Sequence, residues 1–186
     1  MKVKLYMREL YKLWSSALNE KQITDIFETA HKKLDQKAKM FSADDSMKDI
    51  RSSKVRWISD EWVKNLLWEY VKKANLNAFN IDVQNDAEIQ FTEYHSDQAD
   101  HYGWHHDIDW NGQILTDRKI SVTVQLSDVN EYEGGDFEFE EIKTNANFKS
   151  KGTVLVFPSY LRHRILPVTS GIRYSLVAWF SGSRWR

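Results

Sequence analysis

The chain has 186 residues with 26 Lys+Arg against 27 Asp+Glu, is 41% apolar and contains no cysteine. These totals predict one soluble globular domain with room for a sizeable core. The absent thiols exclude a disulfide scaffold, Cys-ligated zinc, iron–sulfur clusters and a cysteine nucleophile.

Charge is unevenly spread. Residues 1–80 hold 16 basic and 11 acidic side chains, a balance of +5; residues 81–186 hold 10 and 16, a balance of −6. A first half that is only mildly basic lacks the concentrated face that phosphate contacts require, so no nucleic-acid partner is expected. Charges interrupt MKVKLYMREL and no long apolar run exists, so neither a signal peptide nor a membrane span is expected. The expected location is intracellular, in the cytoplasm.

The first 76 residues read as helical. Asn19 is a candidate N-cap, followed by Ile23, Ile26, Phe27, Ala30 and Leu34 at helical spacing. A second helix is expected from Ser59–Asp60, with Trp62, Val63, Leu66, Leu67, Tyr70, Val71 and Ala74 on one stripe. Between them, FSADDSMKDIRSSKVRW is polar and reads as a loop, and His31 reads as a surface residue.

From residue 77 the period becomes two. AEIQFTEYH, KISVTVQL, DFEFEE, TVLVF, LRHRIL and RYSLVAWF are short runs rich in β-branched and aromatic residues. EGGD, KGT, FPS and TSG read as turns between them, with Gly134–Gly135 forming a tight one. Strands that follow one another without intervening helices predict a mostly antiparallel sheet. The expected class is α+β, a sandwich or jelly roll with the helices packed outside. Residues 1–186 read as one domain, with 1–76 a helical support region and 77–186 the β core.

HYGWHHDID, residues 101–109, raises the question of a metal. On an extended strand His105 and Asp107 share a side, and His106 faces the other way. His101 has the parity of His105 but lies about 13 Å away along a straight strand. His-x-Asp alone is a weak signal; it gains weight if a third ligand comes from His31, His95 or His163. His95 reads as a solvated turn residue, and His163 lies within LRHRIL. Two histidines and a carboxylate suit non-haem Fe(II) oxygenases, which keep three adjacent positions open. Zinc with a bound water also fits the set.

Arg173, ten residues after His163, begins a strand on which Arg173, Ser175, Val177 and Trp179 share a face. An inward arginine needs an anion, because an unpaired buried charge costs several kcal/mol. Its fork suits a carboxylate. Either a protein Asp or Glu or a ligand supplies it, the protein ion pair being the commoner arrangement.

YHSDQADHYGWHHDID, RKISVTVQLSDVNEYEGGDFEFE and GTVLVFPSYLRHRILPVTSGIRYSLVAWFSG together resemble the Fe(II)/2-oxoglutarate dioxygenases of the prolyl 4-hydroxylase type, over about residues 88–182. The resemblance implies a double-stranded β-helix, the cupin-like jelly roll. It implies His105, Asp107 and His163 as iron ligands and Arg173 as the grip on the far carboxylate of 2-oxoglutarate. Tyr94 and Tyr102 match tyrosines that commonly precede the His-x-Asp, Tyr94 being the expected cosubstrate hydrogen-bond donor. Collagen-type members usually carry Lys where Arg173 stands; oxygen-sensing and many microbial members carry Arg, followed six positions later by Trp, here Trp179. Nucleic-acid demethylases of the superfamily typically have a second Arg there.

The implied cofactors are Fe(II), 2-oxoglutarate as cosubstrate, dioxygen and, as an accessory, ascorbate. The implied reaction hydroxylates an unactivated C–H bond, with a peptidyl proline in a peptide or protein partner as the expected target and succinate and carbon dioxide as coproducts. Trp104, Trp110, Trp179 and Tyr102 are candidates to line a substrate groove, and residues 42–57 and DIDWNGQILTDRK are candidates to close over it. The same chemistry on a free amino acid, and a non-catalytic metal-binding jelly-roll module, stand as alternatives.

Overall fold

A computed structural model of the chain describes residues 9–37, 50–112 and 114–185. Among the described residues two α-helices, α1 (Glu20–His31) and α2 (Glu61–Ala74, continued by a π-helical turn at Asn75–Phe79), accompany twelve strands and a short 3-10 turn at Ser96–Gln98. In chain order the strands are β1 (Lys12–Trp14), β2 (Gln36–Lys37), β3 (Arg51–Ser52), β4 (Lys54–Ile58), β5 (Ala87–His95) and β6 (His101–His105), followed by β7 (Thr116–Gln125), β8 (Tyr132–Gly134), β9 (Phe137–Phe139), β10 (Val154–Pro158), β11 (His163–Ile165) and β12 (Val168–Ser183). The larger sheet runs β1-β10-β7-β12-β5-β4-β2, with β8 also on β12; the smaller runs β3-β6-β11-β9. Every pairing is antiparallel, as expected of strands that follow one another directly.

Alternation along the large sheet divides its residues between two tasks. Ile89 and Phe91 on β5, Ile120, Val122 and Val124 on β7, and Leu176, Ala178 and Phe180 on β12 pack with the helices in one apolar cluster. The helices present Ile23, Ile26 and Ala30 from α1, and Val63, Leu67, Val71 and Ala74 from α2. Residues of opposite parity, among them Tyr94, Thr123, Arg173 and Trp179, line a cavity together with Tyr102, His105, Phe137 and His163 of the small sheet. Helices therefore cover one face of the large sheet, and the cavity occupies the other.

Both expected helices form. Asn19 caps α1 in a reciprocal box: its side chain accepts from the Gln22 amide at 2.9 Å, and the Gln22 side chain accepts from the Asn19 amide at 3.0 Å. Leu34 is a correction. It lies beyond the end of α1 and is 86% exposed, so the apolar stripe stops at Ala30.

The helical reading of residues 1–76 is also corrected, because β1 to β4 lie within it. β1 extends the large sheet beyond β10, and β4 lies beside β5 with Val55 and Ile58 buried. β1, β2 and β3 are two or three residues long, too short to display a period, and β4 carries Lys54 and Arg56, which made it read as loop. Residues 51–57 are thus strand in large part, while 41–49 lie outside the described residues. TSG is not a turn between strands: β12 runs through it, with a register shift between Val168 and Ser170 and Gly171 at φ +69°. Gly134 and Gly135, at φ +74° and +59°, carry the chain from β8 on the large sheet to β9 on the small one.

Candidate active site

β6 and β11 lie side by side with His105 and His163 as direct cross-strand partners, their rings 4.2 Å apart. Asp107 follows β6 by two residues. One nitrogen from each imidazole and one carboxylate oxygen lie within 4.8 Å of one another, the arrangement a single ion needs. His105 Nε2 is 3.5 Å from Asp107 Oδ1, and His163 Nε2 is 3.7 Å from Oδ2. Each imidazole donates its Nδ1–H to the carbonyl two residues earlier, His105 to Gly103 at 2.8 Å and His163 to Leu161 at 3.0 Å. Both Nε2 lone pairs are thereby left to face the carboxylate, the tautomer a metal ligand requires.

Neighbouring rings fix the imidazoles. Tyr102 stacks on His105 at 3.4 Å, and Phe137 stacks on His163 at 5.4 Å with Phe157 edge-on at 4.9 Å. Burial, reinforced by nearby His105, pushes the His163 pKa down to about 4, so it is neutral at pH 7. Burial alone would raise the pKa of Asp107, but the facing imidazoles and Arg118 outweigh it and hold the carboxyl well below its ordinary range. Two imidazoles that present Nε2 beside an ionised carboxylate fit a divalent metal.

Arg173 is 4% exposed and lies across β12–β5 from Tyr94, its guanidinium carbon 5.5 Å from the tyrosine ring. Among the described residues no carboxylate forms an ion pair with it, so the protein-internal partner considered for this arginine is not the arrangement found. Burial raises the pKa of Tyr94 against the opposing pull of Arg51 and Arg173, which keeps its hydroxyl protonated as a donor. Burial likewise pushes Tyr102 up to about 12.

The cavity joining these groups is small in this structure, about 30 Å³, and opens in part to solvent; small-ligand sites usually offer roughly 300–1,000 Å³. All five expected site residues, Tyr94, His105, Asp107, His163 and Arg173, line it, as do Tyr102 and Trp179. Trp104 and Trp110 do not. Trp104 lies under Arg164 beside a separate groove, and Trp110 is 55% exposed with its ring 6.0 Å from that of His106. His106 lies outside the metal cluster, as the strand geometry predicts. His95 is a correction: it is half-buried and bonded to Glu93 at 3.0 Å rather than solvated.

Arg51 escaped the sequence reading. From β3 it reaches the cavity, donates to Gln90 Oε1 at 2.5 Å and Ser53 Oγ at 3.2 Å, and lies over the Tyr102 ring at 4.6 Å. A two-residue strand inside a polar stretch gave no sign of this. Phe137 was more accessible, since the alternation of DFEFEE already set Phe137 and Phe139 on one side.

Residues 89–181 match the family model described as the 2OG-Fe(II) oxygenase superfamily. The chain belongs to that superfamily. Its cofactors are accordingly Fe(II), 2-oxoglutarate and dioxygen. A PKHD-type hydroxylase of Idiomarina loihiensis is 34% identical over 83 residues, 44% of this chain and 37% of the relative, so the match spans well under half of that protein's length. A Pseudomonas putida prolyl-4-hydroxylase superposes with a TM-score of 0.70 at 17% identity, covering 94% of this chain and 93% of the other. A Trichoplax adhaerens prolyl hydroxylase, solved with a hypoxia inducible factor peptide fragment, gives 0.70 at 15% identity, covering 91% and 82%. At these identities the likeness of the structures is one of fold. Among the described residues no helix is long and apolar enough to cross a membrane.

Proposed function

We propose that this chain is a hydroxylase that uses 2-oxoglutarate and dioxygen to oxidise an unactivated C–H bond of a peptidyl proline, releasing succinate and carbon dioxide. The observation that carries the reading is the meeting, in one cavity, of the His105–Asp107–His163 cluster with a buried arginine that no described carboxylate pairs. The two facing sheets are read as a double-stranded β-helix, and residues 1–186 as one domain whose helices buttress it.

In this reading His105, Asp107 and His163 hold Fe(II), and Arg173 with Tyr94 anchors the far carboxylate of 2-oxoglutarate. Iron held there supplies the activation of dioxygen coupled to oxidative decarboxylation. The protein's share is placement. Gly103 and Leu161 fix the imidazole tautomers, Phe137 and Phe157 wall His163 from water, and the Arg173 fork sets the cosubstrate's direction. Tyr102 and Trp179 supply aromatic walls suited to a proline ring. The peptide partner named for the Trichoplax enzyme lends support to a peptide target here.

A small carboxylate substrate such as a free amino acid is the second reading. It is favoured by Arg51, a cavity cation that donates hydrogen bonds to the neutral Gln90 and Ser53. A zinc hydrolase is disfavoured, because Asp107 is the sole carboxylate among the described residues lining the cavity, which leaves no separate general base.

The test is anaerobic addition of Fe(II) and 2-oxoglutarate, with ascorbate to keep the metal reduced, read by visible absorption. A metal-to-ligand charge-transfer band in wild type and in His106→Ala, lost in His105→Ala and His163→Ala, is the expected result. No band at saturating metal and cosubstrate would sink the oxygenase reading and leave a metal-binding module. Succinate release with peptide pools against amino-acid pools then separates the two substrate classes.

A further inference from the structure

Asp107 is held at two points by groups outside the ligand cluster. Ser121 of β7 donates its hydroxyl to Asp107 Oδ2 at 2.6 Å, and Ser159 Oγ lies 2.9 Å from Ser121 Oγ. The Ser159 carbonyl also accepts the Asp107 backbone amide at 2.9 Å. Both serines are 0% exposed. A hydroxyl has one proton to give, and that of Ser121 goes to the carboxylate; Ser159 therefore donates to Ser121. The chain of donors runs Ser159 to Ser121 to Asp107. Two residues after Ser159, the Leu161 carbonyl fixes the His163 tautomer, so one turn between β10 and β11 orients two of the three cluster residues.

The consequence concerns the carboxylate's two oxygens. Oδ2 is occupied by a short hydrogen bond from Ser121, while Oδ1 faces the Nε2 lone pair of His105 at 3.5 Å. A carboxylate engaged on one oxygen in this way is disposed to bind a metal through the other alone. One-oxygen ligation leaves three positions free on a six-coordinate ion; ligation through both would leave two. We propose that Ser121, backed by Ser159, is the positioning residue that restricts Asp107 to one-oxygen ligation and so preserves the open positions that cosubstrate and dioxygen need. The proposal rests on the metal-centre reading given above. Buried hydroxyls that served packing alone would be replaceable by alanine with the metal chemistry intact, and that is the distinction to test.

The experiment titrates Co(II) into metal-free protein under anaerobic conditions, reading affinity and the visible d–d spectrum, which reports coordination number. Wild type, Ser121→Ala, Ser121→Thr, Ser121→Cys and Ser159→Ala are compared, with the melting temperature of each metal-free protein. Ser121→Ala is expected to bind Co(II) about 10- to 100-fold more weakly with an altered spectrum, and Ser121→Thr to restore both. Ser159→Ala, which leaves the Ser121–Asp107 bond in place, should weaken binding by less. Ser121→Cys keeps the shape but donates poorly, so it should behave like the alanine variant and serves if Ser121→Ala does not fold. Affinity within twofold of wild type and an unchanged spectrum in the alanine or cysteine variant would overturn the proposal, whatever happened to the melting temperature. Failure of wild type to bind Co(II) would overturn the metal centre itself, and the clamp with it.

Discussion

A Cβ built on Gly135 would stand 2.8 Å from Cδ of Arg173 and 3.0 Å from Cγ2 of Val168, on backbone at φ +59°. The glycine that carries the chain between sheets is therefore also the surface against which the buried arginine lies. Gly135→Ala is expected to destabilise the fold by about 1–2 kcal/mol from the left-handed backbone alone. It should also displace Arg173 and weaken 2-oxoglutarate binding several-fold. Urea unfolding and a charge-transfer titration separate the two effects. Unchanged cosubstrate affinity in a destabilised variant would mean that the Gly135 contact does not position the arginine.

Arg173 itself gives a sharper prediction. Hydrogen bonds to charged partners contribute roughly 1.5–3 kcal/mol, so Arg173→Gln should weaken 2-oxoglutarate binding between about 10- and 100-fold. Arg173→Lys should fall between, since it keeps the charge and loses the fork. Metal affinity measured without cosubstrate should be unchanged in both. Equal cosubstrate affinity across the three proteins would reassign the anchor, with Arg51 the next cation in the cavity.

What the sequence made legible follows from how local each signal is. Strand parity paired His105 with Asp107, though β6 ends at His105 and Asp107 lies just beyond it, and set Arg173 on one face with Trp179. His163 was one of three candidate third ligands until the family resemblance singled it out. Trp179 does line the cavity beside Arg173, as parity placed it, whereas Trp104 has the opposite parity to His105 and turns away from the cavity. Arg51 and Ser121 were not legible. Arg51 depends on β3 pairing with β6 across a long sequence gap, with Arg51 opposite Tyr102. Ser121 shares the cavity-side parity of Thr123, but nothing local to β7 shows that Asp107 comes within 2.6 Å of it. Contacts between strands far apart in sequence carry no periodic trace.

The cap on α1 was legible and has a measurable weight. Asn19→Ala removes the acceptor for the Gln22 amide and breaks the reciprocal bond, and should cost about 1 kcal/mol. Asn19→Asp, which keeps the acceptor, should cost much less. Equilibrium urea unfolding of the metal-free protein measures both. Equal losses would show that the helix is held by Ile23, Ile26 and Ala30 against the sheet, with the cap contributing little.

Acid should unfold the metal-free protein through His163 before the carboxylates are reached. In the folded state its pKa is about 4 against an ordinary 6.5. Between those values the unfolded chain binds a proton there that the folded chain does not, so stability is full above about pH 6.5 and declines as pH falls towards 4. The decline amounts to at most about 3 kcal/mol. Asp107, held below its ordinary 3.8, adds a second loss that begins only as pH falls through that range. Melting temperatures of the metal-free wild type should therefore drop between about pH 7 and pH 5 more steeply than those of His163→Asn, which has no imidazole to protonate. Bound metal should deepen the dependence, because protons and the ion compete for the same nitrogen lone pairs. Parallel slopes for wild type and His163→Asn would mean that the imidazole is readily protonated in the folded protein, contrary to its burial between Phe137 and Phe157.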